Sequence, residues 1–364
     1  MDGTFKIPFY AKAALIFISA FALVYTLYIG KEIIVPIVYA AILSILLNPL
    51  VNYLVRKRMN RLIAISVSVT LTIIIVLSSL YLLYSQLDIF SESYPQLKQK
   101  FNTTSTELVQ WVSKTLNVRI SKINAWTKET QSDAVNNFAL GESLSEVGDM
   151  IMVLLLLPVY LFMILYYKNL LLEFLRKLFR VEHQAVLDKI LKDSKRLIES
   201  YLVGLAVELV IVAALNSIGL LIIGVDYAII LGVIGAFLNL IPYLGGIIAI
   251  ALPMIIAFVT KDSLTYPALV FCIYMLIQFI DNNFIIPKIV ASRVKINALV
   301  SIIAVLLGGA IWGISGMFLS IPLIAIIKVI CDHIEPLKPW GFLLGDIVPT
   351  TSKFLIIKKS NLKI

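Results

Sequence analysis

The sequence predicts an all-α protein that crosses a membrane several times, and three observations predict it. Hydrophobic residues make up 60% of the 364-residue chain and charged residues only 15%, where a soluble domain carries about a quarter charged. Apolar residues fall in runs of about 17 or more, the length a spanning helix needs. Lys and Arg gather at the ends of those runs, where they act as orientation signals and contacts to anionic lipid heads. The net charge of +9 therefore points to membrane lipids and not to nucleic acid, because no basic stripe outside the apolar runs carries interleaved aromatics. The only cysteines, Cys272 and Cys331, lie inside and at the end of apolar runs, so no disulfide framework is implied.

Residues 13–29 form the first segment. They follow Lys6 and Lys12, and no small-x-small cleavage pattern comes after them, so the run reads as an uncleaved anchor. Residues 33–55 form the second and contain Pro36 and Asn48-Pro49, which remove backbone donors and kink a span. Arg56-Lys57-Arg58 and Arg61 make the next loop cytoplasmic and place the N-terminus inside. Residues 62–84 then run outward, completing an N-terminal scaffold over 1–84.

Residues 85–149 change character. Leu97, Phe101, Leu108, Val112 and Leu116 recur at helical spacing among polar residues, which predicts a helical extracytoplasmic insert. It would serve as a partner surface or pore cap, or only stiffen the assembly. Asn102-Thr103-Thr104 matches a glycosylation pattern, a short one that arises by chance. Residues 150–167 return inward through Pro158. Residues 168–199 carry eight basic and five acidic residues and amphipathic spacing, as expected of helices at a cytoplasmic interface. These make a third unit, 150–200.

The transport core is predicted over 201–330, followed by a cytoplasmic tail, 331–364. Residues 201–223 carry Glu208 and Asn216 two turns apart on one face. Beyond them come two apolar hairpins with Gly-rich tips. The first has arms at 228–240 and 247–259 around Ile241-Pro242-Tyr243-Leu244-Gly245-Gly246. The second has arms at 298–307 and 317–330 around Gly308-Gly309 to Gly313 and Gly316. An arm of about 13 residues reaches about 20 Å, short of a core of about 30 Å. Such arms predict re-entrant helices, stable only where protein or a watery cavity shields the turn, and broken helices in related places point to a transporter's site. The alternative is two pairs of ordinary spanning helices with tight turns. Counting broken segments, about eight cross or enter the membrane, with both termini cytoplasmic.

Between the hairpins, 266–286 carries Gln278, Asp281, Asn282 and Asn283 before Pro287-Lys288. Intramembrane polar groups are costly and by default suggest a pathway. Their amides and carboxylate suit a polyol's hydroxyls or, with freed hairpin carbonyls, a cation. In the opposing reading, Asp281 and Lys288 merely anchor the span at the interface. Glu208 is the deepest clear carboxyl in a span. Burial disfavours its charged form, which makes it a candidate proton carrier, with a hydrogen bond to a neighbouring helix as the alternative. Asn239 is the polar side chain nearest the first tip, and Pro242, Gly245, Gly308, Gly309, Gly313 and Gly316 supply unpaired backbone or close approach. His183 and His333 are the only histidines, and neither has metal-ligand spacing. No nucleophile elbow, Cys cluster or phosphate loop occurs. No enzyme activity, metal or cofactor is expected, so transport would draw on a gradient.

Asn239-Leu240-Ile241-Pro242-Tyr243-Leu244-Gly245 resembles the Pro-x-x-Gly signature of the autoinducer-2 exporter (AI-2E) family of bacterial inner-membrane permeases. Gln278-x-x-Asp281-Asn282-Asn283-x-x-x-Pro287-Lys288 resembles its Gln–acid–Asn motif, and Gly308-Gly309, Gly313-x-x-Gly316 and Pro322 follow in the family's order. The chain departs from the pattern at Asp281, where Glu is common, at Gly246, and at Asn297-Ala298, which replaces a His-Pro. The resemblance implies homo-oligomers, with pentamers as the expected size, in which a mobile unit holding both hairpins moves against a scaffold in an elevator-like way. It implies export of a small polar solute such as autoinducer-2, with proton or sodium coupling as an option. Monovalent cation/proton antiport on the same fold is the second reading. A non-transporting envelope scaffold is the third.

Overall fold

The computed structural model describes residues 8–81, 84, 99, 103, 143–241, 245–261, 263–291 and 295–346. Most of the predicted insert, Pro242 of the first tip, and the tail beyond Asp346 lie outside the described residues. The described chain is helical, with one isolated bridge between Ile296 and Gly345. The helices are α1 Phe9–Ile29, α2 Lys31–Arg56, α3 Arg61–Tyr81, α4 Ser143–Leu178, α5 Val181–Ile223, α6 Ala228–Asn239, α7 Gly245–Thr260, α8 Thr265–Ile280, α9 Ala298–His333 and α10 Lys338–Leu344. Seven stretches among the described residues are long and apolar enough to cross a membrane, and α6 and α7 are shorter apolar helices. This is an all-α, multi-pass membrane protein.

The 43 residues of α5 extend about 64 Å, twice a bilayer core. Its charged first half must therefore leave the membrane, and its apolar second half spans. It ends at Gly224 in the left-handed conformation (φ 78°, ψ 32°). There the amides of Gly224 and Val225 donate to the Leu220 carbonyl at 3.1 and 3.0 Å, closing the orphaned last turn.

Both hairpins are folded back on themselves. In the first, α6 and α7 hold 12 and 16 residues, about 18 and 24 Å, so neither arm matches a core of about 30 Å. Asp226 and Lys261 pair at 3.4 Å across its base. At its tip a Cβ on Gly245 would fall 2.7 Å from Asn239 Cα, so only glycine lets the arms meet. In the second, Gly313 breaks α9 with φ 61° and ψ −143°, a conformation open in practice to glycine alone. Across the break, a Cβ on Gly308 would lie 2.5 Å from the Gly316 carbonyl oxygen, and one on Gly309 would lie 2.7 Å from Met317 Cε. In a straight helix these partners would stand about 12 Å apart along the axis.

The core is a set of packed clusters with α5 at the centre. α2, α3 and α4 meet through Ala40, Val51, Ala64, Ile65, Leu161 and Leu165, tied by Arg61 Nη2 donating to the Leu165 carbonyl at 3.1 Å. The second hairpin packs through Leu319 and Ala325 on Ile42 of α2 and Tyr201 of α5. The first hairpin and α8 pack on the far end of α5 through Leu220, Leu231, Ala257 and Val270. The two hairpins thus rest on different clusters that share α5.

Candidate functional site

The polar groups of three elements converge at the first hairpin's tip. α8 runs into an eleven-residue π-helical stretch, Asp281–Ala291, that contains Pro287. Proline has no N–H and its ring clashes with the carbonyl four residues back, so the α-helical ladder cannot continue through Pro287. The wider turn replaces it, and such π segments recur at functional sites. Asp281 is the first residue of that stretch. It is 1% exposed, buried in protein.

Asn239, the last residue of α6, donates from Nδ2 to Asp281 Oδ2 at 2.9 Å. Asp281 Oδ1 is buried and has no hydrogen-bond partner among the described residues, and the same holds for Asn216 Oδ1 and the Tyr274 hydroxyl. These atoms border a small cavity lined by Asn216, Gly235, Asn239, Tyr274, Gln278 and Asp281, with about 10 Å³ for the centre of a water-sized body. That is room for about one water or a small ion. Oxygens so placed carry a desolvation penalty of about 1–3 kcal/mol each unless something polar meets them.

Glycines set the spacing. A Cβ at Gly235 would lie 3.1 Å from the Tyr274 hydroxyl and 3.2 Å from Asn216 Nδ2, so its absence lets those groups face each other. A Cβ at Gly246 would stand 2.6 Å from Gln278 Oε1, which places Gln278 against the start of α7. Glu208, one face along α5, is 5% exposed and close enough to Asp281 for the two carboxyls to act on each other.

Of the residues expected from sequence, the structure brings together Asn239, Gln278, Asp281 and, beside them, Glu208 and Gly245. Asn282 accepts from Gln278 Nε2 at 3.3 Å at the exposed edge. Asn283 turns away, donating to the Phe279 carbonyl at 2.8 Å. Gly308, Gly309, Gly313 and Gly316 do not line this cavity. They serve the fold-back of α9, whose tip meets the scaffold instead: Trp312 Nε1 donates to the Leu27 carbonyl at 2.9 Å, and Tyr39 stacks on Phe318. Sequence reasoning did not assign Asn216 or Tyr274 to the site. Both were in view, since Asn216 shares a face with Glu208 and Tyr274 precedes Gln278 by four residues and Asp281 by seven.

A family model described as AI-2E family transporter matches residues 15–335. The chain belongs to the AI-2E transporter family. Among its relatives is AI-2 transport protein TqsA of Escherichia coli K12, 27% identical over 321 residues, covering 87% of this chain and 91% of the relative. The putative transport protein YueF of Bacillus subtilis 168 is 26% identical over 307 residues, covering 80% and 82%. A third relative, the putative transport protein YrrI of the same species, is 32% identical over 143 residues, 39% of this chain. Membership of this family makes the chain a membrane transporter of permease type, and the cavity at the first tip joins Asn239 to Gln278 and Asp281.

Proposed function

We propose that the protein is a secondary carrier that exports a small polar solute across a bacterial inner membrane through the site formed by Asn239, Gln278 and Asp281. The observation that carries this reading is the set of buried, unsatisfied oxygens on Asp281, Asn216 and Tyr274 at the junction of a hairpin tip and a helix break. Buried polar groups are normally paired, so three unmet oxygens around one cavity call for a polar occupant there. Broken elements at a membrane midplane are where carriers hold their cargo. The relative named for AI-2 transport supports a hydroxyl-rich solute of that kind.

The elevator-like motion proposed here would carry the hairpin unit against α2, α3 and α4, within a homo-oligomer. Glu208 and Asp281 supply a route for proton coupling: two buried carboxyls in reach of each other hold one negative charge more cheaply than two, so one proton can be traded as cargo enters. Tyr201 and Tyr274 are the other titratable groups packed beside the pair. A second reading, monovalent cation/proton antiport, is favoured by one feature. The three unmet oxygens with a single carboxylate are hard donors around a space sized for a small ion.

Proteoliposome flux tests both. Purified protein is offered a panel of neutral and charged small solutes under imposed proton and sodium gradients. Accumulation of a solute that follows the gradient supports the carrier. Cation flux with no solute dependence favours the antiporter. Absence of any flux in correctly inserted protein would leave the scaffold reading.

A further inference from the structure

We propose that the basic clefts around Glu199 admit an oxyanion, so that the solute of the carrier proposed above bears a carboxylate or phosphate group. The inference rests on that carrier reading and names the solute's chemical class.

Two clefts open at the end of the bundle where the cationic loops lie. One, about 490 Å³, runs between α5 and the π-helical stretch and is lined by Arg196, Glu199, Ser200, Gly204 and Lys288. The other, about 290 Å³, lies between α2 and α5 and is lined by Asn52, Tyr53, Arg56, Lys195 and Glu199. Glu199 borders both. Against its one negative charge stand Arg56, Lys195, Arg196 and Lys288, so the linings sum to 4 − 1 = +3. Among the described residues, Arg56, Lys195 and Arg196 enter none of the ion pairs. Lys195 and Arg61 are also close enough for their charge to act on Lys168, which extends the positive field.

A cleft of one sign concentrates ions of the other at its mouth. The guanidinium fork matches the planar oxygens of carboxylate and phosphate, and Ser200, Asn52 and Tyr53 add donors for hydroxyls. The larger cleft falls within the roughly 300–1,000 Å³ of small-molecule sites. It is also long: from Arg196 to Val207, both in its lining, is about 16 Å along α5. Its far end is Val207, 43% exposed, with Ile289 opposite, which packs on the Val212, Ala236 and Ile285 cluster. A lipid phosphate stays at headgroup level, whereas this cleft continues along α5 past Ser200 and Gly204 to Val207.

The test uses full-length protein in phosphatidylcholine nanodiscs, with inorganic phosphate as the anionic probe and glycerol as the neutral one. Phosphate should bind and glycerol should not. Removing one unit charge at about 6 Å in water changes affinity roughly threefold, so Lys195→Gln with Arg196→Gln should weaken phosphate about tenfold. Glu199→Gln should strengthen it about threefold, a gain that misfolding cannot produce. Equal binding of both probes, or phosphate affinity unmoved by these variants, overturns the inference. Loss of phosphate binding at all concentrations in phosphatidylglycerol nanodiscs also overturns it, by making the cleft a lipid site. Glycerol flux without phosphate binding removes the inference and leaves the carrier. Phosphate binding without flux of any oxyanion leaves the site and removes the carrier.

Discussion

The fold-back of α9 can be tested by a single covalent bond. Gly309 and Met317 are eight residues apart, about 12 Å along a straight helix. Yet a Cβ built on Gly309 lies 3.1 Å from Met317 Cγ. A disulfide needs Cα atoms within about 7 Å. In a background with Cys272 and Cys331 replaced by Ser, the pair Gly309→Cys and Met317→Cys should therefore oxidise within one chain to near completion. The product is read by mass spectrometry of the peptide spanning Gly313. Adding Gly313→Ala tests the hinge itself. Nothing lies within 4 Å of a Cβ there, so the penalty is backbone strain alone, about 1–3 kcal/mol for that region. The cross-linked fraction at limiting oxidant should fall by about fivefold or more for that penalty. Absence of the intrachain bond in the parent pair would show that α9 is a continuous span, and the hairpin geometry would be withdrawn.

Further outcomes follow from other contacts. Gly232→Ala should lower thermal stability by about 1–3 kcal/mol by overpacking, since its Cβ would lie 2.5 Å from the Ser217 backbone nitrogen. Gly246→Ala crowds the flexible end of Gln278 and meets Asn239 Oδ1 at an ordinary 3.6 Å, so melting should hardly move while flux falls. Asn297 accepts from the Val300 amide at 2.9 Å and donates to the Leu343 and Gly345 carbonyls at 2.7 and 3.1 Å. Asn297→Ala should free α10, which chymotrypsin cleavage after the exposed Trp340 would report as a faster rate. Glu208→Gln should flatten the pH profile of flux, and a profile matching the parent's would exclude Glu208 from proton coupling.

What the sequence disclosed was local. Arm lengths, the glycines at 245 and 313, and Asp281 as an intramembrane carboxyl can all be read along the chain, because each is a matter of spacing or of one residue's chemistry. Which helix faces which is not local. Asn216 and Tyr274 join the site only because Gly232 lets α6 lie against Ser217 and Gly235 leaves room between them. At α-helical spacing Gln278, Asp281 and Asn282 fall three to four residues apart, on one face. The turn forced by Pro287 widens the helix from Asp281 onward, leaving Asn282 at the edge and Asn283 outside. The second tip's glycines carried an equal claim to the site by composition, yet their contacts are with each other and with α9's returning arm.

The most direct test of the site is the rate of solute flux in proteoliposomes for Asp281→Asn against the parent, using the solute that the flux panel identifies. The charge-assisted bond from Asn239 and the carboxylate's role in holding cargo are both lost, so flux should drop by about tenfold or more in protein that still elutes as the parent oligomer. Flux at the parental rate would contradict the placing of transport at the first hairpin's tip.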